Sequence, residues 1–565
     1  MKKGSKSMKK SMSLKAKIIL SVISGLVFTA TYFYIALPAI NPMDPSFWGS
    51  LALVIASFAY PFLLTDRKPG KKASKASKII QVKGNMGEKT ANIYVVIAIV
   101  APLAILLIGN IISSTFFNAK AYAGVITVKE AVFAEDMKET NEVTNIALMD
   151  STSAQTIGNR TLGSLSDVVS QYEIAGTYTQ INYGRTPKKV ANLEYADFFK
   201  WINNMDKGIP GYVMVDPVNN SAEYMKLEKP LKYVESGYLG DDLMRKLRFS
   251  YPTKIFDWVS FEIDENGDPY YVVSCVQPKV FPFGAMDVVE VIIFDPCTGE
   301  STLYPIAETP AWVDCAFSGN LAEEKYNWHG TLSGGFWNSV IGNKDCKRTT
   351  DDFGYIVIDD DVWYFTGVTS VTSDESNIGF IISNARTGEY KYYPVVGAEE
   401  YSAMRAAEGE VQEKGYTASF PSLINVNGQA TYILVLKDAG GLVKLYALVN
   451  VEQYSIVATG STQADAMKAY KTLLYENGIV EKEQEPEQPI EETKTVELEI
   501  TEIKSYTVDG NTVFYITGGD GVYYKAALKD FEDMIFLGED SKITVSYLSA
   551  DADKKIIDII KLSVE

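Results

Sequence analysis

Histidine is almost absent from this sequence: there is one, His329, in 565 residues. That excludes any site built on two imidazoles and disfavours a Ser-His-Asp hydrolase, whose general base is a histidine. Cysteine is scarce as well, at four, and no two lie in a Cys-x-x-Cys spacing, so a zinc site lacks its ligands. No signature of a nucleotide, flavin or haem site is present, and no cofactor is expected. Acidic residues are nearly missing from one end only. Residues 1–119 hold 3 Asp/Glu against 15 Lys/Arg, whereas 120–565 hold 68 against 38. The two parts therefore carry +12 and −30 of the net −18. Such asymmetry fits a basic, membrane-facing end and a large acidic body. An acidic body repels phosphate backbones, so nucleic acid is not an expected partner.

What the basic end does have is length in its apolar runs. Ile18–Ile40, Phe47–Leu64 and Ala91–Ser113 contain no charged side chain and run 23, 18 and 23 residues. A helix needs about 20 residues to cross the hydrocarbon core. The first run is too long for a typical signal-peptide core, and the second follows after six residues. Seven lysines precede the first run, and the loop 65–90 carries Arg67, Lys68, Lys71, Lys72, Lys75, Lys78, Lys83 and Lys89. The turn Asn41–Ser46 has no basic residue. The positive-inside rule places tail and loop in the cytoplasm, and everything after about residue 114 outside it. Asn92 and Asn110 are the strongest polar groups in the spans, so the helices read as an anchor rather than an ion pathway.

The body repeats a hairpin. The copies are Tyr212-Val-Met-Val-Asp216-Pro-Val-Asn-Asn220, Val291-Ile-Ile-Phe-Asp295-Pro-Cys-Thr-Gly299, Phe380-Ile-Ile-Ser-Asn384-Ala-Arg-Thr-Gly388 and, more weakly, Tyr446-Ala-Leu-Val-Asn450. In each an apolar strand ends in Asp or Asn, whose side chain can bond the backbone further on; in two, glycine supplies a positive φ. Three copies have a second hairpin upstream, at Asp264-Glu-Asn-Gly267-Asp268, Asp359-Asp-Asp361 and Asn427-Gly428. Helical candidates precede these, at Asp241–Arg248, Gly319–Lys325 and Glu399–Lys414. The expected fold is α+β: three transmembrane helices, then tandem small modules of helix plus antiparallel sheet, then a small β-barrel. The divisions fall at a basic tail 1–17, an anchor 18–113, a membrane-proximal module 114–228, modules 229–309, 310–395 and 396–478, a linker 479–494 and a domain 495–565. The linker core, Glu481–Glu492, is acidic and Pro-interrupted and reads as an extended tether. The last domain reads as five short strands with one short helix, an OB- or SH3-like barrel. With 14 acidic and 7 basic residues it favours a protein or cell-wall contact over nucleic acid.

The order helix–strand–strand–strand, ending in a strand-Asp-x-x-Thr-Gly-Glu turn, resembles the PepSY-type domain of exported bacterial proteins. The resemblance is best over 396–460, with Met404–Glu413 as helix and Val443–Ala458 as final hairpin, and extends to 241–305 and 319–394. The layout also resembles membrane-anchored proteins of Gram-positive bacteria. The resemblance implies a non-catalytic, envelope-exposed module that binds or restrains another protein, often linked to peptidases.

Candidate sites are few. Outside the cytoplasm an even cysteine count is consistent with disulfides among Cys275, Cys297, Cys315 and Cys346, with Cys275–Cys297 the first pairing to consider and free thiols the alternative. Trp328, His329, Trp337 and Trp363 could line a groove for sugar or peptide, or simply pack within the module. Asp264–Asp268 and Asp359–Asp361 could hold calcium, but turns gather Asp, Asn and Gly anyway, and no Glu closes a loop at the required spacing. No metal is expected. Adjacent carboxylates on a strand point to opposite faces, which weakens an acid/base pair at Asp359–Asp361. The expected role is a membrane-anchored, extracytoplasmic binding or scaffold protein without catalysis. The alternatives are a hydrolase of peptidoglycan or polysaccharide and an accessory subunit of a membrane complex.

Overall fold

The computed structural model describes residues 14–65, 86–140, 148–480 and 493–564, apart from 351, 509–510, 520, 550–551 and 553. The basic tail, most of the loop 65–90 and the tether 481–492 lie outside the described residues. The chain divides into two compact units, Met1–Asn477 and Gly478–Glu565.

The apolar runs form helices α1 (Leu14–Ala36), α2 (Pro45–Thr65) and α3 (Met86–Ile112). Each has a stretch long and apolar enough to cross a membrane. They pack as neighbours: Gly25 leaves no room for a Cβ beside the Phe58 ring, and the Tyr32 hydroxyl meets Ser50 Oγ at 2.9 Å. A short helix, α4 (Thr115–Ala123), leads from α3 into the body.

The body is four antiparallel meanders. Sheet 1 has β1 (Thr179–Tyr183), β2 (Thr186–Tyr195), β3 (Ile209–Asp216) and β4 (Ser221–Leu231). Sheet 2 has β5 (Ile255–Ile263), β6 (Pro269–Val280), β7 (Gly284–Phe294) and β8 (Ser301–Pro305). Sheet 3 has β9 (Gly354–Ile358), β10 (Asp361–Ser370), β11 (Ser373–Asn384) and β12 (Tyr390–Tyr393). Sheet 4 has β13 (Ser422–Val426), β14 (Gln429–Lys437), β15 (Val443–Asn450) and β16 (Val457–Gly460). Within each meander the strands pair in chain order, and Val128–Glu130 adds to the edge of sheet 3 in parallel with β12. A helix precedes each meander: α5 (Ser151–Gly163), α6 (Leu243–Ser250), α7 (Gly319–Leu332) and α8 (Glu400–Glu410).

The hairpins explain the repeat. Asp216, Asp295 and Asn384 each accept from the backbone N–H groups two and three residues on, and Gly299 and Gly388 take φ of 79° and 71°. Three of the inner turns are two-residue loops with positive φ at both positions: Gly184-Arg185, Asp359-Asp360 and Asn427-Gly428. Such turns match the strand twist of a tight hairpin. The first of them is not evident from the sequence repeat.

The modules are not separate beads. Sheets 1 and 2 share one apolar core containing Tyr212, Phe261 and Tyr271, and sheets 3 and 4 share another containing Phe365, Phe380 and Tyr432. Between sheets 2 and 3 the segment before α7 is shared: Ala316 and Phe317 donate their N–H groups to Ala385 O, while Ser274 Oγ donates to Ala316 O. Sheet 4 returns to sheet 1, where the Lys437 ammonium pairs with Asp150 at the start of α5 and Asn220 Nδ2 reaches the Tyr446 hydroxyl at 3.4 Å. Four meanders thus close into a ring with β1, β5, β9 and β13 as the first strand of each, the connectivity of β-propeller blades.

The second unit has two sheets. One holds Thr493–Glu499, Lys542–Leu548 and Lys561–Val564; the other holds Glu502–Val508, Asn511–Thr517, Tyr523–Ala527 and Ile556–Asp558. The chain passes from the first sheet to the second at a corner, Ile500-Thr501, where Ile500 N bonds Ser541 O and Thr501 N bonds Thr517 O. A second corner at Ile559-Ile560 works the same way. The two sheets wrap around Ile516, Tyr524 and Val545, a partial barrel; no pairing among the described strands closes it.

Asp150 both caps α5, accepting from Ser153 N at 2.7 Å, and receives Lys437. Asp150→Ala should cost the first unit about 2 kcal/mol, combining a lost cap with a half-buried lysine left unpaired. Asp150→Asn, which keeps the cap, should cost less. Amide hydrogen exchange along α5 reads both; unchanged protection in Asp150→Ala means the contact does not hold the ring shut.

Candidate functional site

The first strands of the sheets bring together groups far apart in sequence. On β1, Gln180 is buried and pairs in register with Lys189 on β2. Its Nε2 donates to Lys188 O at 3.0 Å and Ile181 O at 3.3 Å, which fixes the amide and leaves Oε1 buried with no partner. On β13, Asn425 Nδ2 donates to Met137 O at 2.7 Å, and its Oδ1 is likewise buried without a partner. An unmet buried acceptor costs about 1–3 kcal/mol, so two of them on one cavity call for an explanation.

That cavity, of about 250 Å³, lies among Gln180, Tyr355, Ile356, Val357, Ile358, Leu423 and Asn425. Charged side chains also line it. Lys138 pairs with Asp359 at 2.6 Å, and Asp136 accepts from Lys391 Nζ at 2.9 Å and the Tyr393 hydroxyl at 3.1 Å. The Lys391 hydrogen bond holds the Asp136 carboxyl below its usual range, while Asp359 raises the proton affinity of Lys138. A second cavity, of about 370 Å³, shares Gln180 and Tyr355 and is lined further by Tyr178, Trp258, Cys315 and Tyr364. The Tyr178 hydroxyl is buried without a partner against Gly158 of α5. Between the strands, Lys189 lies buried with Nζ 5.2 Å from the Tyr355 ring centroid. Desolvation lowers its pKa to about 8.

Beside this lies a pair of buried carboxyls. Glu262 Oε1 accepts from Ser260 Oγ at 2.7 Å and Oε2 from Asp314 N at 2.8 Å; Asp314 Oδ2 accepts from Asn182 N at 2.7 Å. Burial pushes Glu262 up to about 7, and burial together with the Glu262 charge drives Asp314 well above the carboxylate range. These bonds tie β5, the segment before α7 and β1 into one hub. Burial also raises the Cys315 thiol far above its ordinary value, so the adjacent sulfur is a poor nucleophile.

The residues singled out from sequence go to different places. Trp328 packs edge-on against Tyr122 at 5.1 Å, and His329 Nδ1 lies 2.9 Å from Ala123 O, so both fasten α4 to α7. Trp337 is exposed beside Phe116, with ring centroids 5.8 Å apart. Trp363 is buried in the core shared by sheets 3 and 4, under Lys391. The structure does not gather these four into one groove. All four cysteines are free thiols. Cys275 pairs in register with Glu290, while Cys297 lies beyond the end of β7 at Phe294. Four residues of strand alone span about 13 Å, outside disulfide reach. Cys346 Sγ sits by Thr331 O. Asp264 accepts from Asn266 N and Asp268 N within its own turn, and Asp361 is held by Arg386 through both oxygens. Gln180, Lys189, Glu262, Asp314 and Asn425 escaped the sequence reading. The only available signal was a polar residue inside an otherwise apolar strand.

No protein-family model matches this chain, and no curated protein does. Two kinds of solved structure align weakly. One is an endo-arabinase from Bacteroides thetaiotaomicron, at 10% identity over 49% of this chain and 74% of that one, with a TM-score of 0.16. The other is a GH32 beta-fructofuranosidase of Bombyx mori, at 10% identity over 65% of this chain and 62% of that enzyme, with a TM-score of 0.17. Likeness at this level carries no argument about fold or activity.

The hub makes stability depend on pH. The folded chain keeps the Glu262 proton up to about pH 7, whereas the unfolded chain releases it near 4.5. Stability should therefore fall as pH rises from about 4.5 to 7, by at most about 3 kcal/mol for this group. Glu262→Gln should gain stability over the parent at pH 8 and show no gain at pH 4.5. Denaturant melts at both pH values check this; parallel curves for parent and variant would remove Glu262 from the hub.

Proposed function

We propose that this protein is a membrane-anchored binding protein whose four-sheet body lies outside the cytoplasm and takes an extended polypeptide segment of a partner into the central cavity. One observation carries the reading. Gln180 and Asn425, each with a buried amide oxygen that lacks a donor, line a cavity otherwise walled by Ile356, Ile358 and Leu423. An extended backbone supplies N–H donors at regular spacing and apolar side chains between them. Among the described strands β9 pairs only with β10, which leaves its other edge open to strand addition, whereas the free edge of β1 is met by Asp314 and Cys315. Lys138 and Asp359 give the cavity a charged wall that can fix the direction of the incoming segment.

The resemblance of the repeated unit to PepSY-type modules supports a restraining or docking role rather than catalysis. So does the chemistry of the site: the nearby thiol is desolvated, and the Asp361 carboxylate is occupied by Arg386. The lysine-rich tail and loop support the outward orientation. The partial barrel of the second unit, read as an OB- or SH3-like fold, would provide a further protein or wall contact.

Two experiments test this. A photoreactive residue at Asp359 in intact cells should capture a polypeptide, and Val357→Trp, which fills the cavity, should cut that yield at least fivefold without loss of folded protein. An undiminished yield would place the partner elsewhere. Protease added to intact protoplasts should digest the body and leave a fragment of roughly a hundred residues holding the three spans; a fully protected body would reverse the orientation.

A further inference from the structure

The end of the body that meets the spans carries a collar of apolar side chains that are exposed among the described residues. Three separate segments contribute. On α6, Phe249 is 60% exposed and tilts against Tyr34 of α1 at 6.4 Å. At the tip of the β6–β7 hairpin Phe281 is 73% exposed, while its neighbour Phe283 lies against Gly109 of α3, where a Cβ would collide with the ring. In the stretch after α7, Trp337, Val340 and Ile341 are 63%, 57% and 73% exposed. Phe116 of α4, four residues past the end of α3, stacks edge-on against Phe336 at 5.0 Å and Trp337 at 5.8 Å. Phe249, Phe283 and Phe116 thus tie the three segments to the same end of the helix bundle.

Polar bonds hold the collar at that level. Arg248 Nε donates to Leu37 O at 2.9 Å and Arg245 Nε to Tyr34 O at 3.1 Å. Ile40 N donates to Pro252 O at 2.7 Å, and Asn41 Nδ2 to Thr253 O at 2.9 Å. The two arginines thus satisfy carbonyls at the α1 terminus, where the helix has no further N–H to offer them. The body is therefore fastened directly to the turn between α1 and α2, so its rim has no room to stand off from a bilayer that the helices cross.

We infer that this collar is a second, interfacial membrane contact: Phe249, Phe281, Trp337 and Ile341 insert into the headgroup–acyl boundary of the leaflet at the body's end of the spans. The occupant is lipid because the patch is continuous with the spans. A water-exposed patch of this kind would be costly, whereas aromatic and aliphatic side chains at the level of a helix end are stable in the interface. The contact fixes the tilt of the ring on the membrane and so sets the direction in which its central cavity opens. The inference rests on the three helices crossing a bilayer and not on what the cavity binds.

Spin labels read depth directly. In a Cys297→Ser background, with the other three thiols buried, Ile341→Cys and, separately, Phe281→Cys are labelled in the full chain in phosphatidylcholine–phosphatidylglycerol vesicles. Tyr454→Cys, on the exposed turn between β15 and β16, serves as the water-facing reference. Collision with oxygen should exceed collision with a water-soluble nickel chelate severalfold at 341 and 281, and the ratio should invert at 454. Nickel accessibility at 341 and 281 equal to that at 454 would overturn the inference. So would shielding of both labels from oxygen and nickel alike, which would put a protein or a second copy over the collar. The second position keeps the test decisive if the first variant does not fold.

Discussion

The body is governed by the need of each β-sheet to cover two apolar faces. The strands of sheet 4 show it most clearly: Gln429–Lys437 is buried along nearly its whole length, with Tyr432, Ile433, Leu434 and Leu436 all inside. A strand buried on both faces cannot belong to a free-standing small module, because one helix covers only one face. Packing each sheet against the next solves the problem locally and leaves the first and last sheets uncovered. Closing the ring through Asp150 and Lys437 brings those two together.

A ring has a centre, and the centre is where this protein departs from the rules of a good core. Sheets converging on an axis bring their first strands within reach of one another without pairing, so backbone edges and polar side chains collect there. Gln180, Lys189, Glu262, Asp314 and Asn425 are each buried, and each breaks the expectation that an interior position is apolar or fully satisfied. Some of that polarity is structural, as in the Glu262–Asp314 hub, where Glu262 accepts from Ser260 and Asp314 N and Asp314 accepts from Asn182 N. Some is not, since the amide oxygens of Gln180 and Asn425 are held in place with nothing to accept. Unmet acceptors also occur away from the cavity: Glu400, buried at the start of α8 and also pushed up to about 7, accepts from Gly367 N at 2.6 Å and locks the helix to sheet 3, while its Oε2 has no partner.

Much of the local structure was legible because it rests on short-range chemistry. Asp or Asn followed by N–H groups two and three residues on, with Gly at the positive-φ position, marks a hairpin, as at Asp295 and Asn384; Asp216 uses Asn220 in place of the glycine, and Asn450 accepts from Gln453 N. The inner turns at Asp359-Asp360 and Asn427-Gly428 were also readable, whereas Gly184-Arg185 was hidden because arginine carries no turn signal of its own. The spans were readable because crossing hydrocarbon imposes one length and one composition. The candidate site was not. A glutamine between Thr179 and Ile181, or an asparagine between Ile424 and Val426, looks like any exposed position of an edge strand, and only its neighbours in space reveal that it is buried. The aromatic cluster 326–337 divides for the converse reason: its residues are close in sequence but pack against different partners, Trp328 and His329 against α4 and its C-terminal end, Trp337 against Phe116 and Phe336.

Sequence alone determined the number and kind of local elements and the charge asymmetry that sets anchor apart from body. Tertiary structure alone decided that the four meanders share cores and close on themselves, and therefore which polar residues meet at the centre. It also decided that the rim of the body is fastened to the helix ends. The physical reason is one of range. Turn geometry, helix length and span hydrophobicity act within a few residues or along one segment, and the order of residues encodes them directly. Burial and the meeting of Gln180 with Asn425 depend on packing between segments more than two hundred residues apart, where no local pattern records the neighbour.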